Sequence, residues 1–382
     1  MITINISGDF CIKEPYLQNS YFPDEVVSFF EKSDLNILNL ECPIIDKNNL
    51  TKLEKTGPNI FTNKEIIPHL KKLNTHIATL ANNHILDYGP DALDYTLQLC
   101  SENNINTVGA GYDNSDAEKT LIIVKNGIKI GIINFCENEW SIATNASSGA
   151  NPLNTIDNFN QIKKVRSHVD FIILIVHGGH ELFNLPSPRM VKLYRFFAEN
   201  GADAVIGHHP HCISGYEVHN KVPIFYSLGN FLFTNKYKTK DWYTGLILQL
   251  HIDNNNKLAF SLHPTRQEID NFKISLLHNE EKEKVLKLVD ELSSIIENEH
   301  LLLSKWEQFI GNRTDLYIEA FSPINFFSNQ NVRNWLKKLG LSKKFRRKQQ
   351  YMRILNLIQC ESHLDITINA MKKILKSSAF EK

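Results

Sequence analysis

The chain has 382 residues, 42% hydrophobic and 22% charged, which is ordinary globular usage and excludes a disordered polyelectrolyte. Lys+Arg and Asp+Glu both number 42, so the zero formal net charge gives no electrostatic case for nucleic acid. Cys11, Cys42, Cys100, Cys136, Cys212 and Cys360 form no C-x-x-C pair and are expected as reduced thiols.

The amino terminus alternates like a strand from Ile2 to Ile6 and lacks the basic start and apolar core of a signal peptide. No run approaches the roughly 18–20 apolar residues that span a bilayer, so a cytoplasmic location with no transmembrane segment is expected. Leu35 to Leu40 is a buried-type strand ending at Glu41, and Ile77 to Leu80 a third strand opening into Ala81-Asn-Asn-His84. A helix is expected from about Pro90 to Asn103, with Pro near its first turn and Leu93, Leu97 and Cys100 on one face. Asn126-Gly127 between Leu121–Val124 and Ile128–Phe135 predicts a hairpin. Phe171 to Val176 is the most apolar strand, followed by a helix from Pro188 to Asn200 closed by Gly201. Ala204–Ile206, Ile224–Ser227 and Tyr243–Ile252 continue the strand series. Strands alternating with helices imply a layered α/β domain around a mixed sheet.

After about residue 270 the pattern turns helical. One long helix is expected from Glu280 to Ile310, and further helix around Trp335, Leu336, Leu339, Ile354, Leu355 and Ile358. The expected division is therefore 1–270 and 271–382. The basic run Lys337, Lys338, Lys343, Lys344, Arg346, Arg347, Lys348 is expected as a solvated helix face.

Five polar clusters lie just beyond the carboxyl ends of expected strands: Gly8-Asp9-Phe10; Asn39-Leu40-Glu41; Ala81-Asn82-Asn83-His84 with Asp87-Tyr88-Gly89; His177-Gly178-Gly179-His180-Glu181; and Gly207-His208-His209-Pro210-His211. Open α/β sheets bind ligands in that position. Mixed carboxylate, amide and imidazole donors suit manganese, iron or zinc better than calcium, which takes oxygen alone. A carboxylate bridging two such ions, about 3.5–4 Å apart, is the usual means of clamping the oxygens of a displacement.

With Tyr226-Ser227-Leu228-Gly229-Asn230-Phe231 added, these motifs resemble the CapA-type poly-γ-glutamate capsule synthesis family of the calcineurin-like metallophosphatase superfamily. The resemblance covers roughly residues 1 to 250. It implies a four-layer α/β/β/α metallophosphatase-like sandwich, here with a helical carboxy-terminal appendage, and one or two divalent transition ions (Mn, Fe or Zn). Carried over by position, Asp9, Glu41, Asn83, His177, His209 and His211 would ligate metal. His84 would act as general acid or stabilise the transition state. His208, His180, Glu181, Asp87 and Asn230 would contact substrate or support the ligands. Two departures stand out: Cys11 occupies a position usually held by a metal histidine, and Glu41 replaces an Asp. Loss of that histidine would weaken the first ion, and Cys11→His would be expected to strengthen it.

The implied activity is metal-dependent hydrolysis of an anionic substrate, either a phosphoester or a γ-glutamyl amide. A second reading is a non-catalytic component of capsule or cell-envelope machinery that grips a polyanion through metal.

Overall fold

The computed structural model describes residues 1–46, 51–253, 255, 257–319 and 348–375. In chain order the first third holds β1 (Ile2–Cys11), α1 (Asp24–Glu31), β2 (Leu35–Leu40), β3 (Ile44–Ile45), β4 (Thr62–Asn63), α2 (Ile67–Lys72), β5 (Ile77–Thr79), α3 (Gly89–Glu102) and β6 (Asn106–Val108). Next come β7 (Ala110–Gly111), α4 (Asn114–Ala117), β8 (Leu121–Lys125), β9 (Ile128–Cys136), β10 (Gly149–Ala150), α5 (Thr155–Arg166), β11 (Phe171–His177) and α6 (Pro188–Glu199). They are followed by β12 (Ala204–His208), β13 (Tyr216–His219), β14 (Val222–Phe225), β15 (Asn230–Phe233), β16 (Thr244–Ile252), β17 (Leu258–Gln267), β18 (Ile274–Leu276) and α7 (Asn279–Glu297). The expected hairpin is β8–β9, with Asn126 and Gly127 both at positive φ (50° and 81°), as a type I′ turn requires.

One large sheet runs β18-β17-β16-β1-β2-β5-β6, with β15 also beside β1; the other runs β13-β14-β12-β11-β9-β8. Apolar residues alternate between two destinations. In β11, Ile173 and Ile175 join Ile2, Ile4, Ile6, Ile37 and Ile206 in a core between the sheets. Ile172, Leu174 and Val176 face the opposite way, onto Ile162 and Val165 of α5 and Met190 and Phe197 of α6. This two-sided burial is why β11 reads as a continuous apolar run. On the other sheet, Leu38, Leu40 and Ala78 pack against Phe30 of α1, Leu70 of α2 and Leu93 of α3. The layers are therefore helix, sheet, sheet, helix, as the resemblance implies.

The division expected near residue 270 falls later. Contacts separate one unit, Met1–Leu53 with Asn59–Leu302, from a second, Glu54–Pro58 with Leu303–Lys382. Strand β18 pairs with β17, and Leu277, Val285 and Val289 enter the core between the sheets. Burial of that apolar face makes the segment part of the sandwich. The single helix expected from Glu280 to Ile310 is two, α7 and α8 (Glu299–Glu319), because Asn298 between them is extended (φ −96°, ψ 97°). In the second unit, α9 (Lys348–Gln359) and α10 (Glu361–Leu375) bury Leu357, Ile366 and Ala370. Trp335, Leu336, Leu339 and the basic positions from Lys337 to Arg347 lie outside the described residues.

Candidate metal centre

The site begins with strand exchange around β1. Its first half pairs with β16, from Ile2↔Ile252 to Ser7↔Ile247, but Asp9, Phe10 and Cys11 pair with Asn230, Leu232 and Phe233 of β15. The strand thus continues through Cys11, so Asp9 lies within β1 rather than beyond its end. A Cβ on Gly8 would stand 2.0 Å from the Gly229 carbonyl oxygen, and one on Gly207 would stand 2.3 Å from that of Tyr226. Only glycine admits such close backbone approach. The Gly-Asp and Gly-His-His motifs are therefore held together by the Tyr226–Asn230 segment. His209 and His211 sit at positive φ (95° and 55°), a conformation that costs non-glycine residues about 1–3 kcal/mol and is found where a site over-determines the backbone.

All six residues expected as ligands are brought together. Asp9, Glu41 and His211 each offer one atom within 4.8 Å of the others, and Glu41, His177 and His209 do the same. Glu41 belongs to both groups. Its Oε1 is 3.5 Å from His211 Nε2 and 3.6 Å from His177 Nε2. His177 Nε2 is also 3.1 Å from Asn83 Oδ1 and 3.2 Å from His209 Nδ1. Donors bound about 2.1 Å from one ion stand roughly 3.0–3.4 Å apart in octahedral or tetrahedral geometry, so these separations fit a shared ion.

The electrostatics fit as well. Glu41 is fully buried and, among the described residues, neither carboxylate oxygen has a hydrogen-bond partner; a buried carboxylate is ordinarily well supplied with donors. Burial pushes the Glu41 carboxyl well above its usual range, with Asp9 adding to the effect and His211 opposing it. Burial would also raise Asp9, but hydrogen bonds from His208 and His211 hold it well below. Burial works against charge on His211, yet the Glu41 and Asp9 carboxylates hold its imidazole at about 10. His177 and His209 are shifted down, chiefly by burial.

The supporting residues divide. His84 Nδ1 is 2.7 Å from Asp87 Oδ2, and that same oxygen accepts the Ile60 N–H at 2.7 Å. His208 joins neither ligand group; its Nδ1 is 3.1 Å from Asp9 Oδ1. Asn230 Oδ1 is 2.9 Å from His211 Nδ1. His180 is buried and Glu181 exposed, both outside the two groups. Cys11 is also outside them, buried in the core beneath the helical layer with Cys42, whose thiol is raised by burial and by Cys11. Cys11 therefore stands among apolar neighbours, apart from both candidate ligand groups. The sequence placed Asn39 in a polar cluster without a role; its Nδ2 donates to Asp9 Oδ1 at 2.8 Å and lies 3.1 Å from His177 Nδ1. Its place at the end of β2, two residues before Glu41, was the available signal.

The chain is 33% identical to the PGA biosynthesis protein CapA of Bacillus subtilis over 243 residues, 63% of each chain. It is 29% identical to the capsule biosynthesis protein CapA of Bacillus anthracis, over 69% of this chain and 67% of that one. It thus spans about two-thirds of the length of these relatives. A solved structure of a putative 5'-nucleotidase from Staphylococcus aureus aligns over 76% of this chain and 58% of that one, with 13% identity and TM-score 0.46. The family described as bacterial capsule synthesis protein PGA_cap matches residues 3–235, most of the sandwich and every residue of the candidate centre, and the chain belongs to that family.

Proposed function

We propose that the chain is a metal-dependent hydrolase of capsule biosynthesis type, acting on an anionic substrate, with a γ-glutamyl amide or a phosphoester as the scissile group. The observation that carries this reading is the shared, fully buried Glu41, without a hydrogen-bond donor among the described residues and flanked by imidazoles at 3.5 and 3.6 Å. A carboxylate so placed is costly unless a cation satisfies it. Asp9, Glu41 and His211 would hold one divalent transition ion, and Glu41, Asn83, His177 and His209 a second. When bound, such ions polarise an acyl or phosphoryl oxygen and make water acidic near neutral pH.

The chain's own residues supply the rest. His84 is 7% exposed, and its Nδ1–H points to Asp87, so Nε2 is the nitrogen that would exchange a proton with the leaving group. Asp87 is itself fixed by the Ile60 N–H, which orients the ring. The names of the Bacillus relatives support a poly-γ-glutamate chain as the polymer concerned, and an anionic chain suits a centre whose charge becomes positive on loading. Among the described residues no helix is long and apolar enough to cross a membrane. The deciding experiment is turnover of γ-linked glutamate oligomers and of a generic phosphodiester by the manganese- and zinc-loaded protein. Cleavage of one, abolished by chelator, is expected; tight metal binding with no turnover of either would mark a binding component instead.

A further inference from the structure

Asn230 forms the first residue of β15 and is the register partner of Asp9 across the β1–β15 pairing. Both side chains converge on one atom, His211 Nδ1: Asn230 Oδ1 lies 2.9 Å away and Asp9 Oδ2 3.3 Å away. The amide cannot be turned around without loss, because Asn230 Nδ2 donates to the Trp242 carbonyl oxygen at 3.0 Å. Its carbonyl oxygen is thereby committed to the imidazole. The His211 ring also packs against Trp242, tilted 43° with centroids 4.7 Å apart, and Phe233, edge-on at 5.2 Å.

Resting on the metal reading above, we infer that Asn230 is a positioning residue for the ion held by Asp9, Glu41 and His211. By accepting the Nδ1–H it keeps that proton in place, so that Nε2, 3.5 Å from Glu41 Oε1, is the nitrogen presented to metal. Asp9 Oδ2, 3.3 Å from the same Nδ1 and also accepting the His209 N–H at 3.3 Å, is the longer and already shared partner. An imidazole ligand needs its second nitrogen anchored in this way, and loss of such an anchor commonly weakens a metal by about 10–100-fold. The Gly-Asn-Phe segment, which carries no ligand, thereby acquires a defined task in the centre.

The test is manganese binding by calorimetry to the full chain, Asn230→Leu and Asn230→Asp, each repeated in a His177→Ala background so that the Asp9–Glu41–His211 ion is read alone. Asn230→Leu, similar in size and unable to accept, should weaken that ion by about 10–100-fold. Asn230→Asp, which still accepts the Nδ1–H, should recover most of the loss. Equal affinities in all three proteins, or an Asp variant as impaired as the Leu variant, would overturn the inference. Independently of any variant, long-range proton–nitrogen NMR of the zinc-loaded wild type should show the His211 proton on Nδ1; a proton on Nε2 would equally overturn it. A wild type that binds no ion would sink the metal reading itself, a different result from two ions bound without dependence on Asn230.

Discussion

His84 and Asp87 form a buried pair, Nδ1 to Oδ2 at 2.7 Å, three residues apart in the turn that precedes α3. Neither side chain belongs to the two candidate ligand groups, so on the proposed reading a change at His84 touches proton transfer and not metal. His84→Asn should therefore leave metal content intact while lowering the hydrolytic rate by about 10²–10⁴-fold, the usual worth of a positioned acid or base. Asp87→Asn should lower the rate less, since the ring remains but loses its orienting partner. Elemental analysis alongside steady-state kinetics checks both, and a His84→Asn enzyme with undiminished turnover would remove His84 from the mechanism.

Purified protein should carry one or two transition ions per chain. His177→Ala and His209→Ala each remove a nitrogen from the same half-site and should lower metal content, as should Glu41→Gln, which strips the shared charge. In chelator, Glu41→Gln should be at least as stable as the wild type at neutral pH, because it replaces an ionisable buried carboxylate that has no donor among the described residues. Thermal unfolding with and without added ion would show this as a lost metal-dependent rise in Tm. An unchanged rise in all three variants would refute the assignment.

Metal affinity should climb with pH. Before an ion can bind, Glu41, with its raised carboxyl, must ionise and His211, held at about 10, must release its Nε2 proton; His177 and His209 are shifted down and are already neutral. Uptake then releases up to about two protons, and affinity tightens from mildly acid pH toward about pH 10. The metal-free protein carries a related signature. His211, raised on folding, contributes stability that is fully present below the ordinary histidine value of 6.5 and is lost as pH rises through about 10. His177 and His209, lowered on folding, act oppositely: stability falls as pH drops below 6.5, because the unfolded rings bind protons more readily. Calorimetric titrations in buffers of different ionisation enthalpy would count the protons, and a pH-independent affinity would contradict this account.

Cys11→His should not strengthen the first ion, contrary to what its sequence position implies. Cys11 is fully buried among Phe10, Ile12, Cys42 and Leu40, so an imidazole there overpacks the core and brings polar nitrogens that need partners. A loss of about 1–3 kcal/mol is expected from overpacking alone. Cys11→Ala should bind metal like the wild type, and urea unfolding with metal titration would check both. A gain in affinity for Cys11→His would reinstate position 11 as a ligand position.

Local order made much of this chain legible in advance. Period-two alternation marks β1, the continuous apolar run marks β11, and Asn126-Gly127 marks the β8–β9 turn, because strand faces and turn dihedrals depend on neighbouring residues. The donor types were equally plain, since Asp, Glu, Asn and His at strand ends carry their chemistry with them. The break at Asn298 and the inclusion of β18 and α7 in the sandwich were not, because a helical period does not say which surface buries it. The same holds for the centre. Asn230 meets His211 and stands opposite Asp9 because β1 leaves β16 for β15, a strand more than two hundred residues away in the chain. Register between such distant strands is set by burial of both sheet faces and by the close approach that Gly8 and Gly207 permit. Residue types set the donor chemistry of the candidate centre, and tertiary pairing decided which donor atoms stand together.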